Sequence, residues 1–406
     1  MRVHQTARHF VLAQEFYHIA REENMSKEIL DLLELRKDLD KIDREIVRLY
    51  LERMEICDRV GQHKVKTGKK VFDPKREQEK LESVSKNVIG DFNQKGIREI
   101  FTQLMSLSRK LQYQRLGLED DEKTTFKEIE ALKNKNTLVA FQGVVGSYGQ
   151  EAMHQYFGED CDSISLPTFR EAINAIKDER ATYAVLPIEN SAMGAVREVY
   201  DLLVECDCFI VGEQIIPINH VLAGLPEASI EDIEKVYSKA EALMQTSKYL
   251  NKNTNWQQIS VSNTAIAASE VAFAKDPSKV AVCSAYAAKI YGLKILADEI
   301  NDEVNNSTRF IVISKDKVYL KNANKISICF EVANESGSLY HLLSHFIYNN
   351  LNMTKIESRP IDGRPWEYRF FVDFEGSIAD VGVRNALRGL KEEAKSLKVL
   401  GARYTS

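Results

Sequence analysis

Apolar residues recur at three- and four-residue spacing through Leu32, Leu35, Leu39, Ile42, Ile46 and Leu49, and the same spacing then lands on Arg53 before resuming at Ile56 and Val60. That rhythm predicts a long amphipathic or coiled-coil-like helix with Arg53 projecting toward its buried seam. Helical patterning runs from about Lys27 to Leu118, broken at Thr67 and Gly68 and again between Gly90 and Gly96, so a long, a short and a long helix are expected, an all-α domain over 26–118. A first helix of roughly forty residues reaches about 60 Å at about 1.5 Å per residue. That is too long to bury its seam within one chain of this size, so a homodimer or higher homo-oligomer is predicted.

The pattern changes after Glu119-Asp120-Asp121-Glu122-Lys123, a charged run that reads as a linker. Short apolar strands then alternate with helices over 136–315: Thr137 to Phe141, Ser163 to Leu166, Tyr183 to Leu186, Phe209 to Ile216, Lys235 to Tyr237, Lys279 to Val282 and Arg309 to Ile313. An α/β domain is predicted, with binding at the carboxyl ends of its strands. Over 324–406 the order is strand (Lys325 to Glu331), helix (338–350), strand (Asn352 to Ser358), strand (Trp366 to Phe374), helix (378–396) and strand (Lys398 to Tyr404). This βαββαβ order is that of a ferredoxin-like α+β unit.

A length of 406 residues fits roughly three domains rather than one core. The formal net charge of −5, with no long basic run, argues against nucleic acid and anionic membrane as partners but leaves room for a small anion, which needs local cations only. Cys57, Cys161, Cys206, Cys208, Cys283 and Cys329 are scattered and form no C-x-x-C, so they read as reduced thiols of a cytoplasmic protein. The C-x-C at Cys206 and Cys208 lacks the further ligands of a metal site, and no metal is expected. No apolar run is long enough to span a bilayer. The apolar stretch from His9 to Ala13 is interrupted by Gln14, Glu15 and His18, so it does not read as a signal peptide, and Met25 is expected as the true start.

An unpaired buried guanidinium is costly, so Arg53 calls for an anionic partner; Arg36, Lys64 and Arg76 could line the same pocket for a small polyanion. The other reading is that Arg53 snorkels out to Glu34 or Glu52. In the third helix, Ser108 and Gln112 sit one turn apart beside the apolar stripe, while Asp73, Arg76 and Glu77 cluster around the start of the short helix, where they could equally be a solvated helix cap. In this order and spacing, Arg36, Arg53, Lys64, Asp73, Arg76, Glu77, Ser108 and Gln112 closely resemble the all-helical chorismate mutases. The resemblance implies an intertwined dimer in which Arg36 reaches into the partner's site. It also implies that Arg53 and Arg76 bind carboxylates and ring substituents, that Asp73 and Glu77 hold the ring hydroxyl and its surroundings, and that Ser108 lies near a carboxylate. Lys64 and Gln112 would donate to the breaking ether bond of a pericyclic rearrangement that needs no nucleophile or cofactor.

In the α/β segment, Gly143, Gly146 and Gly149 give a G-x-x-G-x-x-G between a strand and a helix, more often a tight turn than a phosphate cradle. Three further strings sharpen it: Pro187-Ile188-Glu189-Asn190-Ser191 with Gly194, Ser262-Asn263-Thr264-Ala265, and Asn306-Ser307-Thr308-Arg309-Phe310. Together they resemble prephenate dehydratase over nearly the whole segment. The resemblance implies a two-lobed fold like that of a periplasmic binding protein, with the active site in the cleft, and assigns Thr308 to assist hydroxide departure. Glu189, Asn190, Ser191, Ser238, Gln245, Thr264 and Phe310 would be substrate-binding groups, and Arg309 a carboxylate ligand or a structural residue. The family's Ser-His-Pro-Gln-Ala-Leu-x-Gln-Cys string is altered here to Ser238-Lys239-Ala240-Glu241-Ala242-Leu243-Met244-Gln245-Thr246, changing local charge and rigidity. His220, in an apolar run, reads as a satisfied core histidine.

Gly337-Ser338-Leu339 at a helix start and Glu357-Ser358-Arg359-Pro360 at a strand end resemble the ACT domain of this dehydratase family, where the corresponding strings line a phenylalanine site between protomers. Helix amides after Gly337 suit the amino acid's carboxylate. The combined expectation is chorismate mutase and prephenate dehydratase in one chain, acting on chorismate and prephenate without a cofactor and inhibited by L-phenylalanine. The alternatives are a mutase with a degenerate, sensor-only dehydratase domain, a mutase fused to prephenate dehydrogenase, which the missing dinucleotide fingerprint disfavours, and a non-catalytic sensor.

Overall fold

The computed structural model describes residues 32–115, 126–133, 137–303 and 305–405. The expected start at Met25, the linker at 119–123 and the beginning of the first helix lie outside these residues. The described chain forms two compact units that divide after Lys69.

The first unit is the long helix α1 (Leu32–Thr67). Its predicted seam is exposed along its whole length: Leu32, Leu35, Leu39, Ile42, Ile46, Leu49, Ile56 and Val60 all face solvent, each more than two-fifths accessible.

The second unit begins with α2 (Pro74–Ser85) and α3 (Asp91–Arg115). Gly90 takes a left-handed conformation in the loop between them, whereas Gly96, expected as part of the break, lies inside α3. The α/β region follows as β1 (Lys127–Ile129), β2 (Leu138–Gln142), α4 (Tyr148–Phe157), β3 (Asp162–Leu166), α5 (Phe169–Lys177), β4 (Tyr183–Asn190), β5 (Gly194–Ala195), α6 (Arg197–Glu205) and β6 (Phe209–Pro217). A second lobe contains β7 (His220–Gly224), β8 (Lys235–Lys239), α7 (Ala240–Gln245), α8 (Ser247–Leu250), β9 (Gln257–Val261), α9 (Thr264–Ala274), β10 (Lys279–Ser284), α10 (Ala285–Ile290) and β11 (Lys294–Ala297). The chain then returns through β12 (Ser307–Ser314) and β13 (Val318–Leu320). The predicted βαββαβ unit is present as β14 (Lys325–Glu331), α11 (Ser338–Tyr348), β15 (Met353–Ile361), β16 (Arg364–Glu375), α12 (Val381–Glu393) and β17 (Ser396–Arg403).

Two sheets carry the α/β region. The second lobe has the order β11-β7-β10-β8-β9, and the first lobe contributes β6-β12-β4-β2-β3 to a sheet that continues through β17, β14, β16 and β15. The join is a single parallel pairing, Gly401 opposite Ile210. Gly401 has φ 149, and a Cβ there would fall 2.0 Å from the Ile210 carbonyl oxygen, so only glycine lets the two backbones approach. The apolar core crosses the same join: Cys329, Phe371 and Leu400 pack with Leu186, Tyr200, Leu203 and Ile311 of the first lobe. Lys398 of β17 donates to the carbonyls of Leu203 and Cys206 at the end of α6, a cation on the negative pole of that helix. Among the described residues no helix is long and apolar enough to cross a membrane.

Candidate functional site

The two segments that connect the lobes, 218–220 leading out and 301–306 leading back, are tied together. Asn301 Nδ2 donates to the Ile218 carbonyl and its Oδ1 accepts from His220 N, both at 2.6 Å, while Ile218 N donates to Asn306 O at 2.8 Å. This clasp fixes the entry to β12, whose residues Thr308 and Arg309 pair with Asn190 and Glu189 of β4.

Asn190 Nδ2 donates to Thr308 Oγ1 at 2.9 Å and to Asn306 Oδ1 at 2.8 Å, while its own Oδ1 accepts from Ala192 N and Met193 N at 3.0 and 2.9 Å. With an amide N–H on its oxygen, the nearly buried Thr308 hydroxyl has its proton left to give. Ser191 closes the loop by accepting from Ser307 N at 2.9 Å and donating to Asn305 O at 3.2 Å. From the second lobe, Gln245 is held through His220, whose Nε2 lies 3.2 Å from Gln245 Oε1 and whose Nδ1 lies 3.2 Å from the Tyr148 hydroxyl. Burial lowers the pKa of His220, opposed by the Gln245 hydrogen bond, and burial raises that of Tyr148 well above the usual tyrosine range, so both stay neutral near pH 7. His220 is a satisfied histidine, as read from the sequence, and it also orients a residue the family match assigns to the site. Thr264 opens α9 directly after the cap in which Asn263 Oδ1 accepts from Ala265 N at 2.7 Å.

Several expectations need correction. Ser238 does not present its hydroxyl to a ligand: it is fully buried and donates to Val282 O at 2.6 Å, bridging β8 and β10. Glu189 and Arg309 form an ion pair at 3.2 Å on the strand face opposite Asn190 and Thr308, because neighbouring strand residues alternate sides. Phe310 is buried in the core with Phe141, Met153 and Val312. The glycine loop satisfies itself, since Gly146 N donates to Gln150 Oε1 at 2.7 Å and Ser147 caps α4, which supports a tight turn over an anion cradle. The altered string introduces Lys239 and Glu241, which neutralise each other in a solvent-exposed pair at 3.1 Å.

The mutase-like residues fall in both units. On α1, Arg36 is exposed and Arg53 and Lys64 are half-buried. In the second unit Asp73 caps α2, accepting from Arg76 N at 3.1 Å, and the exposed Arg76 pairs with Glu79 at 3.5 Å, the capping arrangement weighed as an alternative. Ser108 and Gln112 share the buried side of α3; Ser108 donates back to Leu104 O at 2.6 Å, and Gln112 Oε1 is buried without a hydrogen-bond partner among the described residues. Glu77 pairs with Arg109 of α3, and Arg109 Nε donates to Glu393 of α12 at 2.8 Å. Glu393 Oε1 lies 3.2 Å from His345 Nε2 of α11. Burial alone would raise the Glu393 carboxyl, but His345 and Arg109 bring it down to about 2. Sequence reading passed over Arg109, Glu393 and His345; the only signal was that Arg109 adjoins Ser108.

Gly337 caps α11 in a left-handed conformation. Both Glu331, which leads into Gly337, and Arg359 are in register with Arg369 of β16. A cavity of about 530 Å³ lies among Glu130, Leu132, Tyr156, Phe157, Leu320 and Lys321, and none of the predicted site residues lines it.

Comparison with known proteins gives two family matches, prephenate dehydratase over residues 139–318 and chorismate mutase type II over residues 35–113. A bifunctional chorismate mutase/prephenate dehydratase of Aquifex aeolicus is 37% identical over 378 residues, 92% of this chain and 97% of the relative. Its Escherichia coli K12 counterpart is 31% identical, over 91% of this chain and 95% of its own. Among solved structures, prephenate dehydratase from Arthrobacter aurescens in complex with L-Phe matches with TM-score 0.61 and 27% identity, covering 66% of this chain and 90% of its own.

Proposed function

Because the chain belongs to the family of bifunctional chorismate mutase/prephenate dehydratases and carries both activities, we propose that Thr308 is the group that assists the dehydratase step. The observation that carries this is the Asn190–Thr308 hydrogen bond, which occupies the threonine oxygen and leaves its O–H to donate. When prephenate loses its ring carboxylate as carbon dioxide, the electron pair aromatises the ring and expels the ring hydroxyl. A hydroxyl donor at that oxygen lowers the barrier to its departure. Ser191, Gln245 and Thr264 serve as substrate ligands, and Asn190 positions Thr308.

The mutase step is assigned to the helical region, with Lys64 and Gln112 at the ether oxygen and Arg53, Asp73, Arg76, Glu77 and Ser108 around the carboxylates and ring hydroxyl. Arg36 acts in the site of a second copy. The exposed apolar seam of α1 supports that second copy, since a row of eight large apolar side chains in water is what self-association removes. The helical, dehydratase and ACT parts are placed at 26–118, 136–315 and 324–406, in a cytoplasmic enzyme. The ACT unit binds L-phenylalanine at Gly337, Ser338 and Leu339 together with Glu357, Ser358, Arg359 and Pro360, and inhibits the dehydratase. The relative crystallised with L-Phe supports that effector.

The test supplies purified prephenate, bypassing the mutase, and follows phenylpyruvate with and without phenylalanine. Formation that phenylalanine suppresses is expected. Chorismate consumption without phenylpyruvate would mean a mutase carrying a degenerate dehydratase domain.

A further inference from the structure

A chain of charges joins the face of the dehydratase strands opposite Thr308 to the strand that bears Glu357. On β12 Arg309 follows Thr308, and on β4 Glu189 precedes Asn190. The Glu189 Oε2 atom lies 3.2 Å from Arg309 Nη1, and the same oxygen lies 3.0 Å from Lys355 Nζ of β15. Lys355 is two residues from Glu357, on the same side of the same strand. The next residue on that side, Arg359, grips Asp201 of α6 with two bonds of 2.7 and 3.3 Å. The lysine is itself confined: its side chain is mostly buried, with Nζ 5.1 Å from the centre of the Tyr200 ring. On the other side, Arg309 Nε is 3.3 Å from Glu213 of β6, and Glu213 is held by Arg403 of β17, which also bonds Ser327 and, at 2.9 Å, Asp373. The side chains of Glu213 and Arg403 are each 2% exposed, so water cannot replace either partner and the anchor does not yield.

Arg309 is therefore fixed from β6, while Glu189 takes its position from β15. The register of β4 against β12 shifts between Arg309 and Phe310. Such irregularities re-aim the side chains beside them, and here those are Glu189 and Arg309, the chain neighbours of Asn190 and Thr308.

We propose that Lys355 is a positioning residue for the dehydratase reaction. By holding the Glu189 carboxylate against Arg309 it sets the Asn190–Thr308 hydrogen bond on the other strand face, and occupancy of the Glu357–Pro360 segment reaches the reaction by displacing this one lysine. The inference rests on the roles given above to Thr308 and to the effector segment.

The experiment uses the full chain, as wild type, Lys355→Met and Lys355→Arg. Dehydratase kcat and KM for prephenate are measured with and without phenylalanine, alongside phenylalanine binding by equilibrium dialysis and the mutase rate. Lys355→Met is expected to bind phenylalanine within about twofold of wild type and to keep its mutase rate. Its dehydratase kcat falls by about tenfold with KM little changed, and half-inhibition needs about tenfold more phenylalanine. Lys355→Arg restores both. An active, inhibited wild type beside a Lys355→Met variant indistinguishable from it overturns the inference and leaves the functional reading intact. Loss of phenylalanine binding in Lys355→Met also overturns it, since the lysine would then build the effector site rather than couple it. A wild type that makes no phenylpyruvate overturns the functional reading and the inference with it.

Discussion

Asn190 engages two side-chain acceptors through its amide nitrogen and two backbone N–H groups through its oxygen, so its amide cannot flip without breaking the whole set. Replacing Thr308 by valine keeps the shape and removes the proton. Dehydratase kcat is expected to fall by about a hundredfold or more, with KM and the mutase rate little affected; steady-state assays of both reactions check this, and an unchanged kcat would remove Thr308 from the chemistry. Glu393 gives a second prediction at this scale. Its carboxyl is depressed to about 2, so its contribution to stability is complete above the ordinary carboxylate range and is lost as pH falls toward 2. From the ordinary carboxyl value of 4.5 the shift corresponds to about 3 kcal/mol. Urea unfolding at about pH 6 and about pH 3 should show a steeper acid loss in wild type than in Glu393→Gln; equal losses would place the acid sensitivity elsewhere. Motif strings made Thr308, Asn190 and Gln245 legible in the sequence. They could not reveal that Ser238 spends its hydroxyl on Val282, because that depends on which strand lies alongside; that Glu189 faces away from Asn190 follows from strand alternation once the strand is known to run on to Asn190.

At the scale of elements, every strand expected from apolar runs is present, and β14 has the predicted limits. The long and short helices were legible because their stripes persist over many turns. Strands β9 and β11 were not, since they mix polar with apolar positions and neither run length nor alternation marks them, and β7 was noted only as an apolar run around His220. Gly96 misled in the other direction, as a single glycine within a long helical pattern is tolerated at a cost of about 1 kcal/mol. The β6–β17 join could not have been foreseen, since nothing in a Leu-Gly-Ala string announces a backbone contact with a distant strand. Its dependence on Gly401 is testable. Gly401→Ala forces a methyl group onto Ile210 and should destabilise the second unit by about 3 kcal/mol or more, seen as a lower urea midpoint; wild-type stability would mean that the join opens at no cost.

For the whole molecule, the proposed pairing of two copies along the exposed α1 seam makes the mutase depend on self-association. Ile46→Glu places a charge in the middle of the seam. The mutase kcat/KM is expected to fall by about tenfold or more, equivalent to about 1.4 kcal/mol, while phenylpyruvate formation from prephenate persists. Equal mutase rates in the variant would show that the seam does not build the site.

The sheet shared by the dehydratase and C-terminal units also bears on how the protein is made. Arg403 lies 190 residues beyond Glu213 in the chain. At about 5–20 residues per second, a ribosome takes roughly 10–40 s to supply the arginine after the glutamate has emerged. Throughout that interval one edge of β6 lacks its neighbour in β17 and Glu213 lacks the buried arginine that holds it. The nascent first lobe is then open to strand addition by other chains, which makes it a natural client for chaperones that shield unpaired edges.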